Sequence, residues 1–121
     1  MNSLYVGIGG AIGAVLRVMI STTIPFNGTF PFATLCVNLL GCFLLGLFLT
    51  STTIIRNVHL KLALTTGVLG AFTTFSTFSY ETLQLLQQGA AFYALLYVGG
   101  SLVGGLTFSA IGIFMARRFG L

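Results

Sequence analysis

Apolar residues along this chain gather into four long blocks, with short polar segments between them. A bilayer hydrocarbon core of about 30 Å is crossed by about 20 apolar residues in an α-helix. The blocks predict spans over 4–23, 32–55, 60–87 and 91–115. Pro25-Phe26-Asn27-Gly28-Thr29-Phe30-Pro31 ends the first, since two prolines and an Asn-Gly pair are strong turn signals. Arg56-Asn57-Val58-His59 closes the second, Gln87-Gln88-Gly89 turns the third into the fourth, and Arg117-Arg118 stops the fourth. The expected fold is an all-α integral membrane protein, a single domain of four transmembrane helices.

Composition strengthens that reading. Of 121 residues, 56% are apolar and 5% charged, against about 25% charged in a soluble domain. One acid and five bases cannot build a water-facing surface. The mean hydropathy of +1.06 and the 16 glycines fit lipid as solvent, because Gly is more frequent in membrane helices than in soluble ones. The net charge of +4 comes from scattered bases that form no basic face, so no nucleic-acid partner is expected. The first base, Arg17, lies well inside the first block, so the N-terminus reads as a mature helix and not a cleaved signal. Cys36 and Cys42, six residues apart on one helix, point to separated faces and cannot bridge. They read as small packing residues.

Four spans put both ends of the chain on one side of the membrane. Arg56, Lys61, Arg117 and Arg118 fall on that side and the opposite loops carry no Lys or Arg, which makes it the cytoplasmic side. The pairs Gly9/Gly13 and Gly100/Gly104, extended by Ser101/Gly105 and Gly105/Ser109, have the spacing that lets helix backbones approach. They pack either helices of one subunit or two subunits against each other. So short a chain encloses little pore by itself, and an oligomer is expected.

The third block departs from an ordinary lipid-facing helix. Within Phe72-Thr73-Thr74-Phe75-Ser76-Thr77-Phe78-Ser79, five of the last seven residues carry hydroxyls. Adjacent β-branched threonines weaken a helix, and hydroxyls offer its backbone other partners. Irregular backbone at this depth is tolerated only inside protein or beside a water-filled cavity. The third helix is therefore expected to break mid-membrane, freeing carbonyl oxygens for a small cation and aiming amide groups into a cavity. Phe72, Phe75 and Phe78 recur every three residues on one face: a packing stripe, or a set of ring edges. An aromatic edge is electropositive, and edges beside hydroxyl donors such as Thr74, Ser76 and Thr77 can replace the hydration shell of a small anion. They do so without the full charge of a lysine, which would hold the ion too tightly to conduct it.

Polar residues elsewhere admit two readings each. Asn38 lies midway along the second span, as hydrogen-bonding glue to a neighbouring helix or as an amide donor to a passing anion. Arg17 either lines an aqueous vestibule that concentrates anions or snorkels to the interface. Glu81, the only acid, pairs with Arg17 or sits at a pore mouth. Tyr97 and Ser101, four apart, form a hydroxyl track or bond between helices.

These motifs together resemble the Fluc (CrcB) fluoride channel family over essentially the full chain. Gly9-Gly10-Ala11-Ile12-Gly13-Ala14-Val15-Leu16-Arg17 is similar to that family's Gly-Gly-x-x-Gly-Ala-x-x-Arg. Thr34-Leu35-Cys36-Val37-Asn38, with Gly41, Phe43 and Gly46, is similar to its second-span motif. Gly67-Val68-Leu69-Gly70, through Thr73-Thr74-Phe75-Ser76-Thr77-Phe78-Ser79 to Glu81, is the most specific match; Ala33 and Ala71 stand where the family usually has Gly. The resemblance implies a plasma-membrane channel that passively exports fluoride through two pores in an antiparallel dimer. It further implies fluoride coordination by the edges of Phe75 and Phe78, donation from Asn38, and a continuing anion track at Tyr97 and Ser101. A structural sodium ion would be held by the backbone carbonyls of Gly70 and Thr73.

The charge bias bears on that dimer. An antiparallel homodimer needs one sequence to insert both ways, yet outside Arg17 the Lys and Arg count is four against none. The subunit is therefore expected to pair with an oppositely oriented paralogue, a homodimer being the alternative. Two rival functions account for parts of the sequence. A small proton-coupled exporter needs a membrane-embedded acid, and Glu81 is the single candidate. A non-conducting accessory subunit would leave the Phe/Thr/Ser run without purpose. With one His, one acid and no metal-ligand cluster, no enzymatic constellation is expected.

Overall fold

The computed structural model describes residues 2–24 and 30–121 and is helical over most of that length. Residues 25–29 of the expected turn over Pro25–Pro31 lie outside the described residues. Helix α1 is Asn2–Thr23, α2 Phe32–Thr50, α3 Thr52–Arg56 and α4 Val58–Leu62. A π-helical segment, Ala63–Leu69, leads into α5, Gly70–Phe72; α6 is Phe75–Gln87 and α7 Ala91–Arg118. Four stretches are long and apolar enough to cross a membrane: Asn2–Thr23, Phe32–Thr50, Val58–Gln87 and Ala91–Arg118.

Where the bounds differ from expectation, capping chemistry explains it. The second helix stops at Thr50 instead of running to Ile55, because Ser51 turns extended (φ −66°, ψ 119°) and its Oγ accepts from Ile54 N–H. Asn57 repeats the device six residues later, accepting from Leu60 N–H at 3.1 Å. Each short polar side chain supplies an acceptor that the first turn of a helix lacks, so the connection becomes two short helices. The helices α6 and α7 both end on a glycine with positive φ, Gly89 at 77° and Gly120 at 68°. Ala90 N–H closes on Leu85 C=O and Leu121 N–H on Ala116 C=O, the six-to-one closure that a left-handed residue permits. This end carries α7 to Arg118 and brings Leu121 C=O to Thr52 N–H, 3.0 Å. Arg117 and Arg118 are thus on the same end of the bundle as α3.

Within lipid, helices associate through close packing and interhelical hydrogen bonds, and small residues set the two main seams. Helix α1 lies along the π-helical segment and α5, while α2 lies along α7. A side chain at Gly9 would strike Ala63 C=O, and one at Gly13 would strike Val68 C=O. On the other seam a side chain at Gly46 would meet Ser109 C=O, and one at Gly112 would meet Phe43 C=O. Ser109 Oγ also donates to Cys42 C=O at 3.2 Å. The Gly9/Gly13 pair and the Gly105–Gly112 face therefore serve packing within one chain, whereas a Cβ at Gly100 would meet nothing within 4 Å among the described residues. Few large apolar side chains are buried, and Leu95, Leu102, Leu106 and Phe114 point outward.

Candidate functional site

The helical backbone halts at Phe72 and resumes at Phe75, with Thr73 (ψ 158°) and Thr74 (φ −148°, ψ 124°) extended between. This link rearranges two hydrogen bonds. Thr74 N–H, which in a continuous helix would meet Gly70 C=O, donates instead to Asn38 Oδ1 at 3.0 Å. Thr77 N–H, the helical partner of Thr73 C=O, donates to Thr74 Oγ1 at 3.2 Å. The carbonyls of Gly70 and Thr73 are thereby released from the i to i+4 ladder. Thr74 acts as N-cap of α6, and its hydroxyl donates to Thr77 Oγ1 at 3.1 Å with Ser76 Oγ at 3.4 Å.

Asn38 holds the link from α2. Its Oδ1 accepts from Thr74 N–H while its Nδ2 donates to Thr74 C=O at 3.1 Å. One side chain thus satisfies both polar groups of an extended residue. A reversed amide would set donor against donor and satisfy neither, so the orientation is fixed. One N–H of the amide is taken up by this pairing, and among the described residues the other makes no hydrogen bond.

Three cavities adjoin the link among the described residues. A groove of about 390 Å³ is lined by Asn38, Thr73, Thr74, Phe75, Phe78, Val98, Ser101 and Leu102. Phe75 is 79% exposed and stands 5.8 Å from Phe78, centroid to centroid. Ser101 Oγ is buried and, among the described residues, has no hydrogen-bond partner. On the other side of Asn38, a cavity of about 280 Å³ includes Gly70, Thr73, Thr65 and Cys42 in its lining. A third, of about 240 Å³, joins Arg17 to Ser21, Thr34, Val37, Thr74 and Thr77. Asn38 belongs to the first two and Thr74 to the first and third, so one clamped residue pair sits where the three meet.

The candidates named from sequence thus separate into groups. Asn38, Thr74, Phe75, Phe78 and Ser101 share the groove; Gly70 and Thr73 share the second cavity; Arg17 and Thr77 share the third. Ser76 is exposed beside Thr74. Tyr97 lies outside the groove lining, fully buried, with its ring 4.9 Å from Phe78 and its hydroxyl on Glu81 Oε1 at 3.1 Å. The hydrogen-bond partner of Glu81 is therefore Tyr97 and not Arg17. Sequence reasoning missed Ser21 and Thr34 beside Arg17. Thr34 was within reach, since it precedes Asn38 by one helical turn and the two share a face of α2. Phe30, which packs on Tyr97, had no such signal.

Four apolar spans, and a clamped gap in the helix with aromatic, amide and hydroxyl groups around one groove, define a multi-pass membrane protein with a polar site inside its bundle. The chain belongs to the CrcB family, matching "CrcB-like protein, Camphor Resistance (CrcB)" over residues 4–113. It is 50% identical over 119 residues to the "Fluoride-specific ion channel FluC" of Chlorobaculum tepidum, covering 96% of this chain and 94% of that one. It is 50% identical over 121 residues to "Fluoride-specific ion channel FluC 1" of Moorella thermoacetica, covering 97% and 86%. A further FluC, from Chloroflexus aurantiacus, is 45% identical over 123 residues, covering 98% of each chain.

Proposed function

We propose that this chain is the subunit of a fluoride-selective channel that lets fluoride leave the cytoplasm passively. The observation that carries the proposal is the groove, which sets the partnerless Ser101 hydroxyl among Asn38, Phe75 and Phe78. A buried hydroxyl without a partner costs about 1–3 kcal/mol, a cost that an anion accepting from it removes. The remaining Asn38 N–H and the electropositive ring edges supply further weak donors, and the N-terminus of α6 adds the positive end of its dipole. Among the described residues, no fixed cation lines the groove. Binding then stays moderate, as conduction requires. Arg17, in the third cavity, is the vestibule charge that raises local anion concentration. Fluoride as the ion follows from the relatives named above.

The groove is open along Phe75, Val98 and Leu102. In our reading a second subunit closes it, antiparallel to the first, with the Thr73–Thr74 link at mid-membrane depth. A structural sodium ion fits the link as well: the freed carbonyls of Gly70 and Thr73 are hard oxygen donors of the kind such ions select. When bound, the ion would fix the two freed carbonyls in place. Because Arg56, Lys61, Arg117 and Arg118 all favour one side, the partner is an oppositely oriented paralogue and the termini are cytoplasmic. A C-terminal tag found on both faces of the membrane, in cells lacking any paralogue, would restore the homodimer. A proton-coupled exporter is less well supported, since Glu81 bonds to Tyr97 behind Phe78 and does not line the groove.

Ion efflux from liposomes holding the purified protein, with its partner where one exists, tests the function. Fluoride is expected to leave and chloride to stay, and Phe75→Ile is expected to abolish the flux with the assembly intact. Equal chloride permeability, or a strict need for a proton gradient, would overturn the reading.

A further inference from the structure

We propose that Phe30, which stands outside the four spans, is a positioning residue for the anion path: acting through Tyr97, it sets the orientation of the Phe78 ring. The inference rests on the groove being that path. An edge-on contact to an ion is directional, so the Phe78 ring must be held, and its neighbours can be followed outward. Phe78 lies against Tyr97 with centroids 4.9 Å apart and planes at 47°. Tyr97 is held at its hydroxyl by Glu81 and on its ring by Phe30, T-shaped at 5.6 Å and 79°. Edge-to-face packing of this kind is the favoured aromatic geometry. The three rings belong to one cluster with Leu85, Ala94 and Leu35.

Phe30 is itself fixed by the chain. Pro31, with φ −81° and ψ 71°, forms an inverse γ-turn closed by Phe32 N–H on Phe30 C=O at 2.9 Å. Proline pre-sets that φ, so the Phe30 backbone is held from one side. Phe32 at 4.7 Å and Tyr93 at 6.5 Å brace its ring from two others. A residue on the α1–α2 connection thus reaches Phe78, a lining residue of the groove, through one intervening ring.

Two readouts test this in the full-length protein. With para-fluorophenylalanine placed at position 78, the fluorine NMR resonance is expected to shift or broaden in Phe30→Leu and to return in Phe30→Tyr, which keeps the ring. Phe92→Leu removes an aromatic that packs on Tyr93 alone among these residues, and is expected to leave the resonance unchanged. In liposomes, Phe30→Leu should slow fluoride efflux by about twofold to tenfold, the span of one aromatic pair, with Phe30→Tyr near wild type. An unchanged resonance in Phe30→Leu overturns the positioning role. Wild-type protein that shows the resonance shift on Phe30→Leu but conducts no fluoride overturns the channel reading and upholds the ring-to-ring link. If Phe30→Leu does not fold, Pro31→Ala loosens the turn while keeping the ring, and is expected to give a smaller shift in the same sense. No shift there overturns the role.

Discussion

The seam between α1 and the π-helical segment and the link at Thr73–Thr74 both bring backbone close to backbone or side chain, by opposite means. At the seam, Gly9 and Gly13 carry no side chain, so two helix backbones meet with no room for a Cβ between them. At the link the helix opens, and side chains substitute for the ladder: Asn38 serves Thr74 twice and Thr74 serves Thr77. The seam depends on what is absent from the sequence and tolerates no addition. The link depends on what is present, and its released carbonyls are groups that folding alone does not use. In the proposed reading, stability belongs mainly to the first region and ligand chemistry to the second.

Gly13→Val is the severest test of that division. Its Cβ would lie 2.9 Å from the carbonyl carbon of Val68, and backbone on both sides cannot yield as a side chain would. Overpacking normally costs about 1–3 kcal/mol, and here the upper end or beyond is expected, with loss of the folded species on size exclusion after detergent extraction. A monodisperse protein with unchanged melting would show that the seam has slack.

At the link, Asn38→Ala leaves Thr74 N–H and C=O without their side-chain partners, at about 1–3 kcal/mol for each group left unsatisfied. Melting should fall, fluoride efflux should slow about tenfold to hundredfold at about 1.4 kcal/mol per factor of ten, and Thr74 amide exchange should accelerate. Asn38→Asp keeps an acceptor for Thr74 N–H but sets an anionic oxygen against Thr74 C=O, so flux should fall there too. Unchanged exchange at Thr74 in Asn38→Ala would remove Asn38 from the clamp and return it to a purely ligand-facing role.

How far these regions could be read from sequence follows from the same contrast. Hydropathy located four blocks because the lipid requirement acts on every residue of a span, and Gly9/Gly13 announced close approach by spacing alone. What the glycines approach is set by the tertiary fold: spacing could not choose between the π-helical segment of the same chain and a second subunit. The hydroxyl run Thr73 to Ser79 marked the region of the candidate site, yet not the partner each hydroxyl takes. From sequence Glu81 fits Arg17 or a pore mouth equally, and its partner Tyr97 depends on how α6 and α7 are rotated, which no local pattern encodes. Ser51 did carry a local signal, a capping residue ahead of a new turn, but it lay within an apolar stretch that hydropathy joined to α2, whereas Asn57 fell in the polar segment that closes that span. Phe30 sits on no periodic face, so only the fold brings it to Tyr97.

Ser101→Ala separates ligand chemistry from folding more finely. The hydroxyl has no partner among the described residues, so deleting it should leave stability unchanged or raise it by about 1 kcal/mol. Fluoride efflux should slow about threefold to tenfold. A destabilised protein would mean that the hydroxyl has a structural partner, and an unaltered flux would take Ser101 off the path.

The smallest effect is expected at Gly100, and its size carries information. A Cβ there meets nothing within 4 Å among the described residues, whereas one at Gly104 stands 2.8 Å from Leu39 Cδ2. Replacing Gly by Ala in a helix that has room for the methyl favours the helix by about 0.8–1 kcal/mol. If Gly100 faces only lipid, Gly100→Ala should hold or slightly raise the melting temperature in detergent, and the assembly should keep its size. Gly104→Ala requires a flexible leucine tip to move aside and should be near neutral or mildly unfavourable. A clear fall in melting temperature or loss of assembly in Gly100→Ala alone would mean that another subunit's backbone rests there. The fourth helix would then join the Gly9/Gly13 seam as a surface defined by what it lacks, with the partner coming from outside the chain.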